Sequence, residues 1–401
     1  MNDKKEALVR RTGSLGGLLI ATAVGFAMYF GLNAVQGAGS WFPYDHVVER
    51  AGSNTFYKLV WFVMNFTEAE FYAGVLASLG VILGGVVAWQ LDVRKSKLAG
   101  FDICYGTNLF PWVLGSQLLS LVIAIFVLNY TQLFDTGDYG WLPTFISVVG
   151  VPPSVMLVYG PSVPALLTGS ILGGLVSFPV GFLLMETLVP LFEIPGVVDN
   201  VFTIALTGIV VMKTCHALPW MKKVPPPTIE KQQPAVDKET KAARMRTPAW
   251  FMRRVLADFT EAQFYGNEVA AIFLLVGVSI DWLLNSGHAA YGSGTLPAMI
   301  LSQFVAAGVG IWLSTDKYAE QGWYATFVPV VSVGPACVLV FGATIPVALF
   351  SGVVGGIIGG PVAEYLVGIL PDDMHPTVGN TASMGICTIV TAVLMQVLPF
   401  F

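Results

Sequence analysis

The two halves of this 401-residue chain carry the same sequence pattern. The segment NFTEAEFYAG at 65–74 returns as DFTEAQFYGN at 258–267, and we call these two segments the FTEA motifs. Farther along, residues 145–180 run in register with residues 327–362. A repeat of this kind indicates that each half folds as the same structural unit. The chain must therefore fold into two copies of one architecture.

Long apolar segments fill most of each half. Hydrophobic residues make up 55% of the chain and charged residues only 11%, whereas an ordinary soluble domain is roughly one quarter charged. Many of the apolar segments are near the ~20 residues that a helix needs to cross ~30 Å of hydrocarbon. The sequence therefore predicts an all-α polytopic membrane protein and excludes an ordinary soluble fold.

The apolar segments predict about eleven transmembrane helices. Residues 1–40 hold a cytoplasmic segment and one extra helix at 13–36, with a cleaved signal sequence as the alternative. Repeat 1 is predicted at 55–220 and repeat 2 at 250–401, joined by a Pro-rich, charged and flexible linker at 221–249. The five segments of each repeat are 68–91, 108–129, 143–160, 162–190 and 199–219, and then 262–284, 296–314, 325–342, 345–369 and 378–400. Because five is odd, the second repeat is expected to be inverted.

The distribution of positive charge predicts the orientation in the membrane. Lys and Arg collect in short cytoplasmic segments. With the N-terminus in the cytoplasm, all 20 Lys and Arg residues except Arg50 and Lys58 fall on that side. The chain is therefore expected in the cell (inner) membrane, with its N-terminus and central linker in the cytoplasm and its C-terminus outside.

The FTEA motifs allow two interpretations. Thr67 and Glu70, like their counterparts in the second repeat, have the spacing of a capping box, in which side chains satisfy free backbone N–H groups at a helix start. The acidic residues Glu68 and Glu261 would alternatively take part in proton transfer. We expect helix capping from the spacing, and keep the functional role as the alternative.

The fourth segment of each repeat contains residues that break helices. Two adjacent glycines are followed by a proline in both copies. Non-helical backbone at membrane depth is tolerated only where it is buried in protein or lines a polar cavity. We therefore expect an interrupted helix at a binding site, with close helix packing and a simple kink as the alternative. The residues at these expected breaks are Gly173, Gly174, Pro179, Gly355, Gly356 and Pro361.

The fifth segments begin with amide and hydroxyl side chains. In each repeat an Asn and a hydroxyl residue three positions later share one helical face. Their oxygen atoms suit Na⁺ or a polar solute, or alternatively cap a helix at the membrane surface. Glu364 follows the Gly-Gly-Pro break, and acids at membrane depth are costly and commonly functional. The predicted substrate- or ion-binding residues are Asn200, Thr203, Asn380, Thr381, Ser383 and Glu364.

No motif for enzymatic chemistry is found in the sequence. The four cysteines are scattered without metal-ligand spacing. The sequence contains no GxSxG, HExxH or nucleotide-binding GxxxxGK[ST] motif. We therefore expect no enzyme, no metal site, no nucleic-acid partner and no cofactor, apart from Na⁺ as a coupling ion.

The layout resembles that of secondary transporters with two inverted five-helix repeats, such as sodium/bile-acid symporters and sodium/proton antiporters. The extra first helix is also similar to that of hydroxycarboxylate symporters. The resemblance covers nearly the whole chain but is one of layout. The paired aspartates of the antiporters and the GGxG signature of the citrate group are missing, so the predicted site residues rest on this sequence alone.

This resemblance implies a secondary active transporter of a small polar or anionic organic solute, coupled to Na⁺ or H⁺. Alternating access would come from an elevator-like motion of a core, formed by segments three to five of both repeats, against a panel containing the FTEA helices. The resemblance also implies a homodimer in the lipid bilayer. The alternatives are a passive solute or ion channel and a non-transporting membrane scaffold subunit.

Overall fold

The computed structural model describes residues 12–37, 39–133, 143–192, 195–227 and 238–401. Every regular element in these residues is a helix. Through the first repeat they are α1 (Leu15–Ala34), α2 (Tyr44–Ala51), α3 (Thr55–Met64), α4 (Val75–Val93), α5 (Phe110–Val122), α6 (Tyr130–Leu133), α7 (Ile146–Val149), α8 (Val151–Tyr159), α9 (Val163–Phe192) and α10 (Val197–Ala217). Then follow α11 (Lys238–Met245), α12 (Pro248–Asp258), α13 (Glu268–Leu284), α14 (Leu296–Gln321), α15 (Val333–Phe341), α16 (Ile345–Gly368) and α17 (Thr377–Val397).

The prediction of an all-α polytopic membrane protein is confirmed. Within the described residues, eight helices are long and apolar enough to cross a membrane, and they are α1, α4, α5 with its π-helical extension, α9, α10, α14, α16 and α17. The other three predicted spans correspond to the 17-residue helix α13 and to two interrupted segments at 143–159 and 325–341. The N-terminal residues 1–11 and the middle of the predicted linker, 228–237, lie outside the described residues.

Equivalent helices of the two repeats pack in opposite directions. The backbone N–H groups of Leu76 and Ala77, at the start of α4, donate to the carboxylate of Asp281 near the end of α13. At the other end of the same contact, Gly84 of α4 lies against Ala270, near the start of α13. Helices α10 and α17 also run antiparallel, because Gly208 lies against Val378 and Gly385 against Phe202. This packing agrees with an inverted second repeat.

The fourth segments are continuous helices, so the prediction of a break at Gly173, Gly174, Pro179, Gly355, Gly356 and Pro361 is wrong. Helix α9 runs through Pro179 and α16 runs through Pro361. A proline leaves the carbonyl four residues earlier without its helical donor. For Pro179 that carbonyl belongs to Leu175, and it accepts a hydrogen bond of 2.7 Å from the hydroxyl of Tyr130. A tertiary contact therefore replaces the bond that the proline removes.

The glycines of these helices serve close packing, as the alternative interpretation held. A Cβ atom on Gly173 would lie 2.6 Å from a carbon of Pro152, and one on Gly355 would lie 2.8 Å from Pro329. On the neighbouring face, a Cβ on Gly174 would lie 2.8 Å from the carbonyl oxygen of Ser120. These distances leave no room for a side chain.

The breaks occur instead in the third segments. Between α7 and α8, Gly150 has φ −114° and ψ −113°, and prolines at 152 and 153 open the next helix. In the second repeat, residues 326–332 form turns, and Ser332 has φ −151° and ψ −76° before α15 begins. Pro335 in the first turn of α15 has the same role as the prolines of α8. Both third segments therefore expose backbone groups inside the protein.

Candidate functional site

The FTEA motifs are loops between two helices, so the capping-box interpretation is wrong. Each motif follows a helix of about ten residues, α3 or α12, and precedes α4 or α13. Phe71 and Phe264 have φ values of 68° and 66°, which end any helical path. The hydroxyl of Thr67 contacts the backbone N–H of Gly74 at 3.3 Å, and that of Thr260 contacts the N–H of Asn267 at 3.1 Å. Each threonine therefore closes its loop seven residues onward.

The two loops meet each other inside the protein. The amide Nε2 of Gln263 donates to Glu70 Oε2 at 2.6 Å and to the carbonyl of Phe66 at 2.8 Å. Glu70 and Gln263 are fully buried and occupy the same position of the two motifs. Contact between equivalent positions shows that the motifs lie on the pseudo-two-fold axis that relates the repeats.

A glutamine of the second segment ties each motif to a broken third segment. Gln303 Nε2 donates to the carbonyl oxygens of Val330 at 3.0 Å and Glu70 at 3.3 Å, and its Oε1 accepts from the Tyr72 hydroxyl at 2.7 Å. Gln117 is its counterpart and makes the equivalent contacts. Its partners are the carbonyl oxygens of Val148 and Gln263 and the hydroxyl of Tyr265. Buried amides thus satisfy the backbone that the breaks expose.

Between the two motifs and the starts of α10 and α17 lies a cavity of about 640 Å³. Most of its wall is made of pairs of residues at equivalent positions of the repeats. These pairs include Glu68 and Glu261, Phe71 and Phe264, Tyr105 and Tyr291, Phe145 and Phe327, and Asn200 and Asn380. The cavity therefore surrounds the pseudo-two-fold axis and takes residues from the FTEA loops and from the third and fifth segments of both repeats.

Two amides and two carboxylates are the main polar groups of the wall. Asn200 and Asn380 are 6% and 5% exposed, and the side-chain carbonyl oxygen of each accepts no hydrogen bond from the described residues. Glu68 and Glu261 are 1% and 3% exposed. Buried polar atoms normally have partners. The unpartnered amide oxygens are therefore acceptors available to a bound solute or ion.

Glu261 belongs to a buried charged cluster. Arg254 donates to Glu261 at 2.5 Å and to Asp258 at 2.6 Å. Glu261 also accepts from the Tyr105 hydroxyl at 2.8 Å, and Asp258 accepts from the Thr326 hydroxyl at 2.7 Å. One guanidinium thus faces two carboxylates in the interior.

The first repeat has neutral residues at two positions of this cluster. Trp61 and Asn65 stand at the positions equivalent to Arg254 and Asp258. The Trp61 indole donates to the Thr144 hydroxyl at 2.9 Å, which donates to Asn65 at 2.6 Å. The position equivalent to Arg254 in the first repeat is therefore an uncharged tryptophan. The two ends of the cavity therefore differ in the side chains at these two positions, an ion pair at one end and two neutral groups at the other, although they share one backbone architecture.

The structure brings three of the six predicted site residues together. Asn200, Asn380 and Thr381 line the cavity. Thr203 and Ser383 lie one helical turn farther and do not line it, and the Ser383 hydroxyl donates to the backbone of Asn380 at 2.6 Å.

Glu364 lies apart from the cavity. Lys317 donates to its carboxylate at 2.6 Å, and the Tyr324 hydroxyl does so at 3.0 Å. The Glu364 side chain is 37% exposed. Its role as the coupling charge stays a prediction, and its position favours an ion pair near the end of α16.

His375 lines the cavity at the entry to α17 and gives a pH-dependent stability. Burial lowers the pKa of its imidazole from 6.5 to about 4, and its Nδ1 accepts from the Thr377 N–H at 3.2 Å. The unfolded chain therefore binds more protons between these values, and stability falls as the pH drops from 6.5 towards 4. We expect His375→Asn, which keeps an acceptor for Thr377, to reduce that fall. Melting temperatures of both proteins across this pH range test it, and equal losses would contradict it.

Comparison with known proteins identifies no relative. No protein-family model, no curated protein and no solved structure matches the chain. The similarity to inverted-repeat transporters thus remains one of layout, and the function must be argued from the cavity.

Sequence reasoning treated the carboxylates of the motifs mainly as helix caps and did not connect them with the amides of the fifth segments. Glu68 and Asn200 are far apart in sequence, and they meet in the cavity only because the repeats interlock. The usable signal was the recurrence of Glu68 as Glu261 within the best-matched segment of the two repeats.

Proposed function

We propose that the chain is a secondary active transporter that moves a small polar organic solute across the cell membrane, coupled to Na⁺ or H⁺. The observation that supports this is the cavity on the pseudo-two-fold axis, with Asn200 and Asn380 as matched polar groups. Transporters with inverted repeats bind their substrates near the membrane midplane at the interface between repeats. The cavity volume lies within the roughly 300–1,000 Å³ of small-molecule sites.

The position of the cavity fits alternating access. Its wall combines the FTEA loops of the panel with third and fifth segments of the core. A core that slides against the panel would carry the amides away from the motifs and change the side from which solute enters. In this proposal the N-terminus and linker are cytoplasmic, the C-terminus is outside, and two copies associate in the bilayer.

A passive channel is less well supported. A pore needs a continuous hydrophilic lining, whereas the described wall is mainly aromatic and aliphatic. Among the two solute classes expected from the sequence, polar and anionic, the two carboxylates of the wall favour the polar one.

Asp199 is the residue that we propose for ion coupling. It precedes Asn200, is fully buried, and neither carboxylate oxygen has a hydrogen-bond partner among the described residues. Its counterpart in the second repeat is Gly379, so the group occurs in one repeat alone. A buried acid in a membrane helix without a partner requires a proton or a cation. Binding of either one at Asp199 would couple solute transport to the gradient of that ion.

Ligand-dependent melting of the purified protein tests this function. Small polar solutes would be screened with and without Na⁺ and at an acidic and an alkaline pH, because a ligand of the folded state raises the melting temperature. A hit that depends on Na⁺ or pH would then be followed as uptake into proteoliposomes under an imposed gradient. An uptake rate that does not change with any imposed gradient would contradict secondary transport and support a channel.

Variants of Asn380 and Asp199 test solute binding and ion coupling separately in the uptake assay. Asn380→Ala is expected to raise KM roughly two- to tenfold, the effect of losing one hydrogen bond to the solute. Ser383→Ala is the matched control in the same helix, because Ser383 does not line the cavity and its hydroxyl donates to a backbone carbonyl. Asp199→Asn is expected to abolish the gradient dependence while the solute still binds. Normal uptake by both Asn380→Ala and Asp199→Asn would contradict the site.

A further inference from the structure

The proposed function, on which this inference rests, allows Na⁺ or H⁺ as the coupling ion. We propose that the ion is Na⁺ and that the carboxylate of Asp199 and the hydroxyl of Thr203 bind it. Neither residue lines the cavity, although Asn200 between them does. The ion site is therefore separate from the solute site and adjacent to it.

Asp199 and Thr203 offer three buried oxygen atoms on one side of α10. The residues are four positions apart, so their side chains share a helix face, with Cβ atoms about 5–6 Å apart. Both residues are 0% exposed. Oδ1 and Oδ2 of Asp199 and Oγ1 of Thr203 have no hydrogen-bond partner among the described residues, and the two side chains do not bond to each other. One cation between them would satisfy all three oxygens.

The hydroxyl of Thr203 decides between Na⁺ and H⁺. A buried hydroxyl in a helix commonly donates to a carbonyl of the preceding turn. Thr207 does so at 2.6 Å, and Ser383, the counterpart of Thr203 in the second repeat, donates to its own helix at 2.6 Å. Thr203 makes no such bond. A proton on Asp199 would account for the carboxylate alone, whereas Na⁺ accounts for the carboxylate and the hydroxyl together.

The charge of the site matches a monovalent ion. Asp199 lies in the first turn of α10, where the helix dipole favours an acid. The dipole supplies no donor to the carboxylate oxygens and does not involve the Thr203 hydroxyl. One carboxylate balances one positive charge, while a divalent ion would leave a positive charge buried without a partner. We therefore expect Na⁺ to bind and Ca²⁺ not to bind.

The packing of the fourth segments leaves room for the site in the first repeat alone. Gly379 stands at the position of Asp199, and a Cβ atom on it would lie 2.8 Å from the backbone nitrogen of Val367 in α16. The residue of α9 equivalent to Val367 is Met185, which lines the cavity. Helices α9 and α10 thus accommodate an acid behind the cavity wall where α16 and α17 accept only a glycine.

The broken third segment of the first repeat lies beside this part of α10. A Cβ atom on Gly150 would lie 3.3 Å from the side chain of Ile204, the residue after Thr203. Because residue 153 is a proline, the carbonyl of Val149 lacks its helical donor. Carbonyl oxygens of interrupted segments are common Na⁺ ligands in transporters. The break therefore offers backbone oxygen close to the two side chains.

Na⁺ alone is the probe for this site. The melting temperature of the purified full chain would be measured while NaCl replaces N-methyl-D-glucamine chloride at constant ionic strength. We expect a saturable rise with Na⁺, because an ion that binds the folded state stabilises it. CaCl₂ at the same ionic strength should give no rise. A rise with Ca²⁺ equal to that with Na⁺ would overturn the monovalent assignment.

Four variants test the two ligands. Asp199→Asn should lose the response to Na⁺, yet melt no lower than the parent without Na⁺, because an amide needs no counter-ion. Thr203→Val should bind Na⁺ about tenfold more weakly or worse, the effect of losing one contact to a charged group. Thr203→Ser keeps the hydroxyl and should keep the affinity. Thr207→Val is the matched control one turn farther, because that hydroxyl is bonded within its helix.

The outcomes separate this inference from the proposed function. A response to Na⁺ that survives in Asp199→Asn, or that weakens equally in Thr203→Val and Thr207→Val, would overturn the site. Absence of any response to Na⁺, together with uptake driven by a proton gradient, would overturn the Na⁺ assignment and leave the transporter function intact. Na⁺ binding that is lost in Asp199→Asn, without gradient-driven uptake of any solute, would support the ion site and contradict transport.

Discussion

Replacing Arg254 by alanine is expected to lower the free energy of unfolding by about 3–5 kcal/mol. The substitution leaves the carboxylates of Asp258 and Glu261 buried beside each other without their shared cation. Removal of one partner from a buried ion pair is costly for this reason, even where the pair as a whole adds little to stability. Denaturation in mixed micelles, together with the melting temperature in detergent, measures the loss.

Two further variants make this prediction specific. Arg246→Ala removes a pair with Asp316 whose side chains are 35% and 38% exposed, and exposed pairs contribute only about 0–1 kcal/mol. The double substitution Arg254→Trp with Asp258→Asn installs the neutral residues of the first repeat. We expect it to be more stable than Arg254→Ala, because it removes one of the two uncompensated charges. Equal losses of unfolding free energy for Arg254→Ala and Arg246→Ala would show that removing Arg254 from the buried cluster costs no more than breaking an exposed ion pair.

Substitution of Gly277 by alanine should disrupt the packing of α4 against α13. A Cβ atom at this position would lie 2.2 Å from the carbonyl oxygen of Leu76 and 2.7 Å from its carbonyl carbon. Backbone atoms of a helix cannot move aside as a flexible side chain does, so the two helices must separate. We expect a loss of about 3 kcal/mol or more, at or above the upper end of overpacking effects in protein cores.

Gly115→Ala is the matched control for that substitution. Gly115 also lies inside a helix, α5, but nothing lies within 4 Å of an added Cβ atom. Alanine there removes backbone freedom of the unfolded chain and should stabilise the protein by about 0.5–1 kcal/mol. The pair of variants is compared by melting temperature and by the fraction of monodisperse protein. Similar behaviour of the two would mean that the α4–α13 contact tolerates a wider spacing.

Composition and the internal repeat were enough to predict the helical membrane fold and the alignment of Asn200 with Asn380, because both follow from the sequence of each segment. The course of the fourth segments did not follow in this way. The local preference of Pro179 for a break is real, but the Tyr130 hydroxyl, which is distant in sequence, satisfies the freed carbonyl. This tertiary hydrogen bond lets α9 continue through Pro179, and the local sequence alone does not indicate it.

The capping-box prediction for the FTEA motifs was wrong for a related reason. The spacing of Thr67 and Glu70 does match a capping box, but Glu70 bonds to Gln263 of the other repeat. Nothing within one copy of the motif indicates that it meets the second copy. The cavity depends on this contact, so its carboxylates could be recognised as candidates but not joined with the amides of α10 and α17.

The two clusters restrict how the repeats diverged after duplication. Both copies retain the glutamate, as Glu68 and Glu261, while Trp61 and Asn65 stand opposite Arg254 and Asp258. From an ancestor with Trp and Asn at these positions, an arginine arriving first would add a cation beside the glutamate, whereas an aspartate arriving first would add a second buried carboxylate and no cation. From a charged ancestor, the aspartate must be lost before the arginine. Both histories pass through an Arg–Asn–Glu intermediate, which Asp258→Asn would recreate today.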